Sequence, residues 1–224
     1  MDELVRRWAH GWCLCRGLAA AQDHETALEV TLDLPGRTRE LFALTDRTDV
    51  IDDLAIEITK ATEPTWLTVT TQHPDATAAV LEQAGLEVFA ERCLLMSIDL
   101  NLHAEAATPA QYRVETSSDG PLERTRILDA QGNIAARGMA AIVGQDAVMH
   151  DIQTDPAHRR LGLGSVVMAT LSSRARQRGA ATGLLMATPE GGYLYTRSSW
   201  LTEATMLTAI SGTDRPRSRR PAAG

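Results

Sequence analysis

The segment Ala147–Gly179 constrains the fold of this chain more than any other stretch, because a strand, a glycine-rich turn and a helix follow one another directly. Apolar and β-branched residues such as Ile152 and Thr154 precede the strand break at Asp155-Pro156. Apolar residues then return at helical spacing up to Gly179, where a helix typically ends. The segment therefore predicts a strand–turn–helix unit of the α/β type.

The turn in this unit has the composition of an anion site. It reads Arg159-Arg160-Leu161-Gly162-Leu163-Gly164-Ser165. The first N–H groups of a helix lack intrahelical partners, and the helix dipole favours negative charge beside them. Two adjacent arginines add positive charge, so these residues indicate a pyrophosphate site. A dinucleotide fingerprint would need a third glycine where Val167 stands, and a Walker loop would need a Gly-Lys pair that this turn lacks.

Composition and charge limit the classes of substrate and binding partner that we expect for this chain. The chain has 224 residues and a net charge of -7, which argues against a broad nucleic-acid surface and favours small cationic substrates. We expect no membrane partner, because the sequence has neither a membrane-length apolar run nor a signal-peptide pattern. The pair Cys13-x-Cys15 has no partner ligands in the sequence, so we expect no metal site, and the cytoplasm is the expected location.

Periodicity and turn residues predict the remaining elements. The N-terminal segment 2–21 should be a helix interrupted at Gly11 and Gly17, and a linker should follow at 101–109. Strands are predicted at 27–34, 40–45, 66–71, 87–100, 112–115, 124–129, 134–143, 182–188 and 200–210, and helices at 49–61, 75–84 and 189–199. Residues 117–121 are predicted to be a loop, and 213–224 a disordered basic tail.

Two motifs at a matching spacing support a family resemblance. The run Arg159-x-x-Gly162-x-Gly164, after a strand and at the start of a helix, resembles the acyl-CoA-binding motif of the GNAT superfamily of N-acetyltransferases. The family pattern L-Y-x-x-x-G-F is similar to Leu194-Tyr195-Thr196-Arg197-Ser198-Ser199-Trp200. The resemblance covers about Arg124–Ile210. It implies an α/β (α+β) fold with a mixed, mostly antiparallel sheet flanked by helices.

The resemblance also implies a reaction and a site. The expected activity is transfer of an acetyl or short acyl group from acetyl-CoA or a related acyl-CoA to a primary amine. Amides of Leu161–Ser165 would hold the pyrophosphate, with Arg159 and Arg160 contacting phosphate oxygens and the strand backbone at Ile152 and Thr154 pairing with the pantetheine arm. The residues of that cofactor site are Ile152, Thr154, Arg159, Arg160, Leu161, Gly162, Leu163, Gly164 and Ser165.

The catalytic groups are less defined than the cofactor site. Tyr195 falls on the family position that protonates the leaving thiolate. Candidates for the general base are His150, whose ordinary pKa is near neutrality, Asp151 beside it, and Glu190. Regular alternation along a strand would place His150 and Asp151 on opposite faces, so that only one of them could face the amine.

The sequence departs from the family pattern at three places. Thr188 stands where an asparagine is often found, and Ser199 stands where the pattern has glycine. Residues 116–123 are too few for the two helices that usually follow the first strand of the fold. One face of the second-half sheet would then be uncovered, and we expect the first half to cover it and to wall the acceptor pocket.

The first half repeats the element order of the second. Val80-Leu81-Glu82-Gln83-Ala84-Gly85-Leu86 echoes the second motif, with Leu81 where Tyr195 stands. No arginine–glycine loop precedes the helix at 49–61, whose start is acidic. We therefore predict two tandem GNAT-like halves: a degenerate half without cofactor at 1–105 and a catalytic half at 106–212.

Two functional hypotheses remain at this point. The first is an N-acetyltransferase acting on a small cationic amine. The second is a GNAT-like sensor or scaffold that binds acyl-CoA without turnover. Tyr195 favours the enzyme, whereas Thr188, Ser199 and the unsettled base favour the binder. The sequence leaves the acceptor, the acyl chain and the presence of an oligomer open.

Overall fold

A computed structural model of the chain describes residues 1–212, so the tail predicted at 213–224 lies outside the described residues. Within them the helices are α1 (Asp2–Arg16), α2 (Thr48–Lys60), α3 (Pro74–Gln83), α4 (Leu163–Gln177) and α5 (Pro189–Thr196). The strands are β1 (Gln22–His24), β2 (Ala27–Leu34), β3 (Arg37–Ala43), β4 (Thr65–Thr71), β5 (Leu86–Asp99), β6 (Arg113–Asp119), β7 (Leu122–Leu128), β8 (Ile134–Val143), β9 (Asp146–Thr154), β10 (Thr182–Ala187) and β11 (Leu201–Ser211). Short 3-10 turns follow β5 at Leu100–Leu102 and β9 at Pro156–His158.

Most predicted elements recur with small shifts in their bounds, but β1 was not predicted, and α1 and β6 differ from the prediction as described below. No helix among the described residues is both long and apolar enough to span a bilayer. The chain divides into two compact units. The first contains Met1–Ala9, Leu18–Leu95 and the described chain from Glu203 onward, and the second contains His10–Gly17 and Met96–Thr202.

The first unit is a sheet covered by two helices. Its strands run in the order β1-β2-β3-β4-β11, and β3 pairs with β4 in parallel while the other pairs are antiparallel. The first turn of α2 contains Asp49, whose negative charge suits the positive end of the helix dipole. Its apolar residues, including Ile51 and Ile58, pack against Leu67 and Leu81 in a fully buried core. This burial of apolar area is the main term that holds the unit together.

The second unit has the order β10-β9-β8-β7-β6, with β5 as the next neighbour of β10. β9 and β10 are parallel, and β6 to β9 form an antiparallel meander. Helix α4 packs on this meander, with Leu163, Val167 and Leu171 fully buried. The β7–β8 hairpin lies where the sequence predicts it. Because α4 connects two parallel strands, its N-terminus lies beyond the end of β9.

Each unit takes its last strand from the other half of the sequence. The neighbour of β4 in the first unit is β11, the final strand of the chain. The neighbour of β10 is β5, whose last residues Met96–Asp99 belong to the second unit. The compact units therefore do not coincide with the boundaries 1–105 and 106–212 taken from the repeat. The order of strands along a chain does not by itself specify which strand the last strand of each half pairs with.

Helix α1 is continuous through Gly11, contrary to the predicted interruption there. A Cβ on Gly11 would lie 2.3 Å from Cγ2 of Val148 in β9, so this position needs glycine for close packing rather than for a break. One turn further on, the thiol of Cys15 lies 3.6 Å from the carbonyl oxygen of Val148. The helix ends at Gly17, which has φ of +65°. Residues His10–Gly17 thus cover part of the face of β9 that the missing helices would otherwise occupy.

The segment predicted as a loop at 117–121 is mostly strand. β6 continues to Asp119, and Gly120-Pro121 forms the tight turn into β7. The sequence pattern is misleading here because serines occupy an edge strand, where solvent faces one side. The direct β6–β7 hairpin agrees with the expectation that this half lacks the two usual helices.

A buried carboxylate fixes the C-terminal end of α4 to the β6–β7 hairpin. Glu123 is fully buried in β7 and accepts hydrogen bonds from Arg174 and, at 2.9 Å, from Arg178. The hydroxyl of Ser118 donates to the same carboxylate at 2.8 Å. Burial alone would raise the pKa of Glu123, but the bonds from Arg174, Ser118 and Arg178 together hold it below its ordinary value. The carboxylate therefore stays ionised and holds three donors.

Replacing Glu123 by glutamine should lower the free energy of unfolding by about 3 kcal/mol, because two arginines lose a buried partner. The contribution of a carboxylate with a lowered pKa is present above about pH 4.3 and is lost as the pH falls through the folded-state value. Urea unfolding at pH 7 and pH 3 should show a much smaller difference between wild type and Glu123→Gln at pH 3. The matched control is Glu115→Gln, whose partly exposed ion pairs should contribute at most about 1 kcal/mol. Equal losses for both variants would contradict this account.

Candidate functional site

The second unit opens along β9. In the described structure β9 and β10 pair only from Asp146 opposite Thr182 to Val148 opposite Leu184. Both strands continue beyond these pairs without further pairing to each other. Backbone N–H and C=O groups on one side of β9 are therefore open to a ligand that is itself extended.

An extra residue interrupts β9 within this opening. Between the pairs Met139–His150 and Arg137–Gln153, β9 has one more residue than β8. The extra residue leaves Asp151 with φ of +53°, in the left-handed region that a non-glycine residue rarely adopts. Such bulges bend a strand and redirect its side chains, and they are frequent beside active sites.

Cross-strand partners show which way His150 points. A Cβ on Gly138 in β8 would lie 2.7 Å from Val167, so that position faces α4. Ala140 faces the same way, and so does its partner Met149. His150, the next residue in β9, therefore faces away from α4. It is half-buried there.

The carboxylate of Asp151 lies on the same side as His150. Its oxygens are 3.1 Å from Nε of Arg137 and 2.6 Å from Nε2 of Gln153, which donates to it. Arg137 and Gln153 are cross-strand partners, and Arg137 precedes Gly138, so both face away from α4. The expectation that His150 and Asp151 must point to opposite faces is thus wrong, because the bulge breaks the alternation on which it depends.

Burial sets the protonation of His150. Removal from water lowers the pKa of its imidazole below 6.5, and the nearby positive charge of Arg16 lowers it further, against an opposing effect of Asp151. The imidazole is consequently neutral at pH 7 and able to accept a proton. Arg16 was not among the predicted site residues. No sequence signal links Arg16 in α1 to β9, because a helix and a strand this far apart in the chain meet only through the fold.

The Arg159–Ser165 loop forms an open cradle of backbone amides. Gly162, the residue before α4, has φ of +78°, and a Cβ there would have no heavy atom within 4 Å. No side chain caps the helix. Within the described residues, none of the seven amides of the loop donates to another group, and the first bond into α4 runs from Val166 to the carbonyl of Gly162. These N–H groups are free for an anion.

The cradle is positively charged. Arg159 and Arg160 are exposed, and neither forms an ion pair with any residue that the structure describes. Arg160 has φ of +64°, so the loop holds two left-handed residues, Arg160 and Gly162, and the first of them is not glycine. Two unpaired guanidinium groups beside free amides can bind phosphate oxygens through charge-assisted hydrogen bonds. All nine predicted cofactor residues lie on the last part of β9 or on this loop.

Helix α5 closes over the first turn of α4. A Cβ on Gly164 would lie 3.2 Å from Cδ2 of Leu194 and 3.7 Å from the hydroxyl oxygen of Thr154. The end of β9, the start of α4 and α5 therefore meet at one point. Leu194 was noted only as part of a motif, and the structure gives it this packing role.

Tyr195 is buried next to that contact. Only 8% of it is exposed, and its ring packs on Trp200 with centroids 6.0 Å apart. Burial raises the pKa of its hydroxyl to about 12, and the hydroxyl has no hydrogen-bond partner among the described residues. A phenol with this pKa remains protonated at neutral pH and can donate to a thiolate. None of the described contacts joins Tyr195 to His150.

Thr188 and Ser199, two of the three departures from the family pattern, have local structural explanations. Thr188 caps α5, since its hydroxyl accepts from the amide of Gly191 at 3.1 Å. Ser199 has φ of +66°. Glycine adopts a positive φ without steric penalty, which explains why the family pattern has glycine at this place. Glu190 lies in the first turn of α5 and is exposed.

Among residues 1–212, no group of three or more His, Cys, Asp or Glu side chains is placed to hold a metal ion. Cys13 and Cys15 are buried in α1. Burial raises the pKa of the Cys15 thiol to about 12, so it stays protonated and acts as a packing residue.

The open strand pair, the bulge and the uncapped helix lie next to one another on a mixed sheet. Residues 96–191 match the model of the GNAT acetyltransferase family. The match covers less than half of the chain and supports the resemblance to that family over the segment that contains β9 and α4. Among curated proteins, no sequence matches the chain significantly.

Solved structures share the fold of the whole described chain. A GCN5-related N-acetyltransferase from Kribbella flavida is 16% identical, with a TM-score of 0.71 over 94% of this chain and 95% of that one. A tandem GNAT protein from the clavulanic acid biosynthesis pathway is 13% identical, with a TM-score of 0.58 over 83% and 78%. A GCN5-related N-acetyltransferase-like protein from Streptococcus suis is 12% identical, with a TM-score of 0.56 over 92% and 97%. The prediction of a GNAT-like mixed sheet with two tandem halves is confirmed.

Changing Ser199 to glycine should stabilise the protein by about 0.5–1 kcal/mol, because relief of the left-handed strain exceeds the added chain entropy of glycine. The neighbouring Ser198→Gly is the matched control. It removes the bond from the Ser198 hydroxyl to the carbonyl of Leu194 and should destabilise by about 1 kcal/mol. Chemical denaturation measures both. A loss of stability in Ser199→Gly would show that the left-handed conformation carries no strain.

Proposed function

We propose that the protein is an N-acetyltransferase that moves an acetyl or short acyl group from acyl-CoA to a primary amine of a small cationic acceptor. The observation that carries the proposal is the uncapped N-terminus of α4, with its free amides and two unpaired arginines, beside the end of an open β9. When bound, acyl-CoA supplies an activated thioester. The net charge of -7 favours a cationic acceptor over an anionic one.

The loop residues fit the phosphates of this donor. Free amides of Leu161–Ser165 point to the space before the helix, where they bind phosphate oxygens together with the helix dipole. Arg159 and Arg160 add charge on the solvent side. The unpaired backbone of β9 at Ile152 and Thr154 accepts an extended amide-containing arm by adding hydrogen bonds as a further strand would.

The base in this proposal is His150. A primary amine has a pKa of about 10 and arrives protonated, so a proton must leave before the nitrogen can attack directly. The imidazole of His150 is neutral because of its lowered pKa and can accept that proton at Nδ1 or Nε2. Asp151 lies on the same side of β9 as His150, but its carboxylate already binds Arg137 and Gln153. In this proposal Asp151 therefore does not act as the base. Glu190 remains an exposed alternative that would act through water.

Tyr195 stabilises the leaving group. With a pKa of about 12, its phenol is a weaker acid than a thiol with a pKa of about 8.5, so complete proton transfer to the thiolate is uphill. A hydrogen bond from the hydroxyl to the developing thiolate gains strength as charge appears on sulfur. The hydroxyl is suited to that role because it has no hydrogen bond to another described residue that it would have to give up.

The alternative is an acyl-CoA-binding sensor or scaffold without turnover. The observation that favours it is the ion pair of Asp151, which removes one candidate base, together with the strained Ser199 behind Tyr195. This alternative shares the cofactor site and differs only in the chemistry beyond the thioester.

Replacing Tyr195 by phenylalanine should lower kcat about 100-fold with little change in the KM for acetyl-CoA, because the lost bond forms only in the transition state. Thiol release from acetyl-CoA across a panel of primary amines measures this. Tyr193→Phe is the matched control, since Tyr193 is 79% exposed. If no amine causes thiol release in wild type although CoA binds, the sensor hypothesis replaces the enzyme.

CoA at about 100 times its Kd should stabilise wild type by about 2.7 kcal/mol in thermal unfolding. Gly164→Glu should abolish the shift, because a carboxylate then faces the phosphates. Gly164→Ala should keep most of it, since the added Cβ meets only the flexible end of Leu194 at 3.2 Å. An equal shift in all three proteins would place the phosphates elsewhere.

The pH profile of kcat should report His150. Because its pKa lies below 6.5, activity should rise as pH increases through that lowered value and level off by neutral pH. His150→Gln should remove this inflection and lower kcat about 100-fold. The exposed His10→Gln is the control and should leave the profile unchanged. Retention of the inflection in His150→Gln would assign the base to another group.

A further inference from the structure

The residue before the phosphate-binding loop is held from two sides. His158 ends the 3-10 turn Pro156–His158 and directly precedes Arg159. Its Nδ1 lies 2.8 Å from the hydroxyl of Tyr112, and its Nε2 lies 3.8 Å from Oδ2 of Asp129. The rings of Tyr112 and His158 also meet edge to face, with centroids 5.6 Å apart. None of these residues belongs to the family motifs considered above.

The charges fix the direction of these contacts. Asp129 accepts bonds from the amides of Asn133 and Gln131 and from the side chain of Asn133, with the Asn133 amide contributing most to its lowered pKa. It is therefore ionised, and it favours the tautomer of His158 that carries hydrogen on Nε2. Nδ1 is then an acceptor, and the Tyr112 hydroxyl donates to it. Tyr112 and Asp129 thus contact the two ring nitrogens of His158, Tyr112 by a hydrogen bond and Asp129 at ion-pair distance.

Tyr112, Asp129 and His158 join three separate segments of the second unit. Tyr112 lies just before β6, Asp129 lies in the turn between β7 and β8, and His158 lies between β9 and the loop. A further bond runs from the amide of Asp155 to the carbonyl of Ala135 at 2.9 Å. The start of the loop is thereby tied to the rigid meander.

The loop needs such a restraint because its backbone is strained. Arg160, two residues after His158, has φ of +64°. A left-handed conformation costs a non-glycine residue about 1–2 kcal/mol and persists only where its surroundings determine it. The far end of the loop is fixed by Leu163, the first residue of α4, which is fully buried. The near end is fixed by His158.

We propose that Tyr112, His158 and Asp129 are positioning residues that hold the Arg159–Ser165 loop in the conformation that binds the phosphates of acyl-CoA. They do not touch the donor or the reacting atoms. Without the clamp, Arg160 relaxes to a right-handed conformation and the amides turn away from the phosphate position. This inference rests on the proposed acyl-CoA site and adds the device that keeps the site formed.

Hydrogen exchange of the ligand-free protein tests the clamp independently of any activity. In His158→Ala and Tyr112→Phe, the amides of Arg159–Ser165 should exchange about tenfold and fivefold faster, while amides of β2 and β3 keep their wild-type rates. His10→Ala and Tyr193→Phe are the matched controls, since both side chains are exposed. Unchanged loop exchange in His158→Ala would overturn the inference, whatever the CoA affinity.

Donor affinity tests the consequence. His158→Ala should raise the Kd for CoA and the KM for acetyl-CoA about tenfold, with kcat and the KM of the amine unchanged. His158→Asn, which keeps an acceptor for Tyr112, should recover part of the loss. The effect of His158→Ala should shrink to about twofold in an Arg160→Gly background, because glycine carries no left-handed strain.

The outcomes separate the two proposals. Faster loop exchange with weakened CoA binding supports both. Faster loop exchange in a protein whose wild type does not bind CoA would overturn the proposed function and the donor part of this inference together. Wild-type CoA binding that His158→Ala leaves intact, or a loss of equal size on the Arg160→Gly background, would overturn the positioning role alone.

Discussion

The short pairing of β9 with β10 is the constraint on which the second unit depends. Three paired positions, Asp146–Val148 with Thr182–Leu184, hold the two parallel strands together, and beyond them the strands separate. A gap in a sheet exposes backbone groups that must find partners in water or in a ligand. Helix α4 starts beyond this gap, so its free amides and the unpaired edge of β9 face a common region. One limit on strand pairing thus creates both parts of the proposed acyl-CoA site.

The bulge at Asp151 adds the chemistry to this opening. Its positive φ turns the carboxylate to the side of His150 and lets it bind Arg137 and Gln153. Burial and the nearby cation Arg16 lower the pKa of His150, whereas the carboxylate of Asp151 opposes that lowering. Local strain in the strand is therefore coupled to the protonation state of the group beside it.

The sequence predicted the fold well where local signals are strong. The strand–turn–helix at Ala147–Gly179, the β7–β8 hairpin and the repeated element order follow from periodicity and turn residues, and they recur in the structure. The position of the Arg159–Ser165 loop between β9 and α4 was predictable because its glycines lie between a strand pattern and a helix pattern. The orientation of Asp151 was not, since one inserted residue changes the facing of a strand without altering its apolar pattern.

Contacts between distant segments lie beyond such reasoning. Gly11 looked like a helix break, yet it is the place where α1 approaches Val148. Ser117 and Ser118 looked like a loop, yet they belong to an edge strand whose one-sided exposure tolerates polar residues. Tyr112, Asp129 and His158 are separated by long stretches of chain and carry no shared motif. Their meeting is a property of the assembled meander.

The assignment of β11 to the first unit and of the end of β5 to the second limits where this chain can be divided. β11 completes the sheet built from the N-terminal half, and the end of β5 completes the one built from the C-terminal half. A gene cut at the repeat boundary would produce two polypeptides, each carrying a strand that belongs to the other. Neither half of the sequence therefore contains all the strands of one compact unit, and expression of either half alone would leave a sheet without one of its strands.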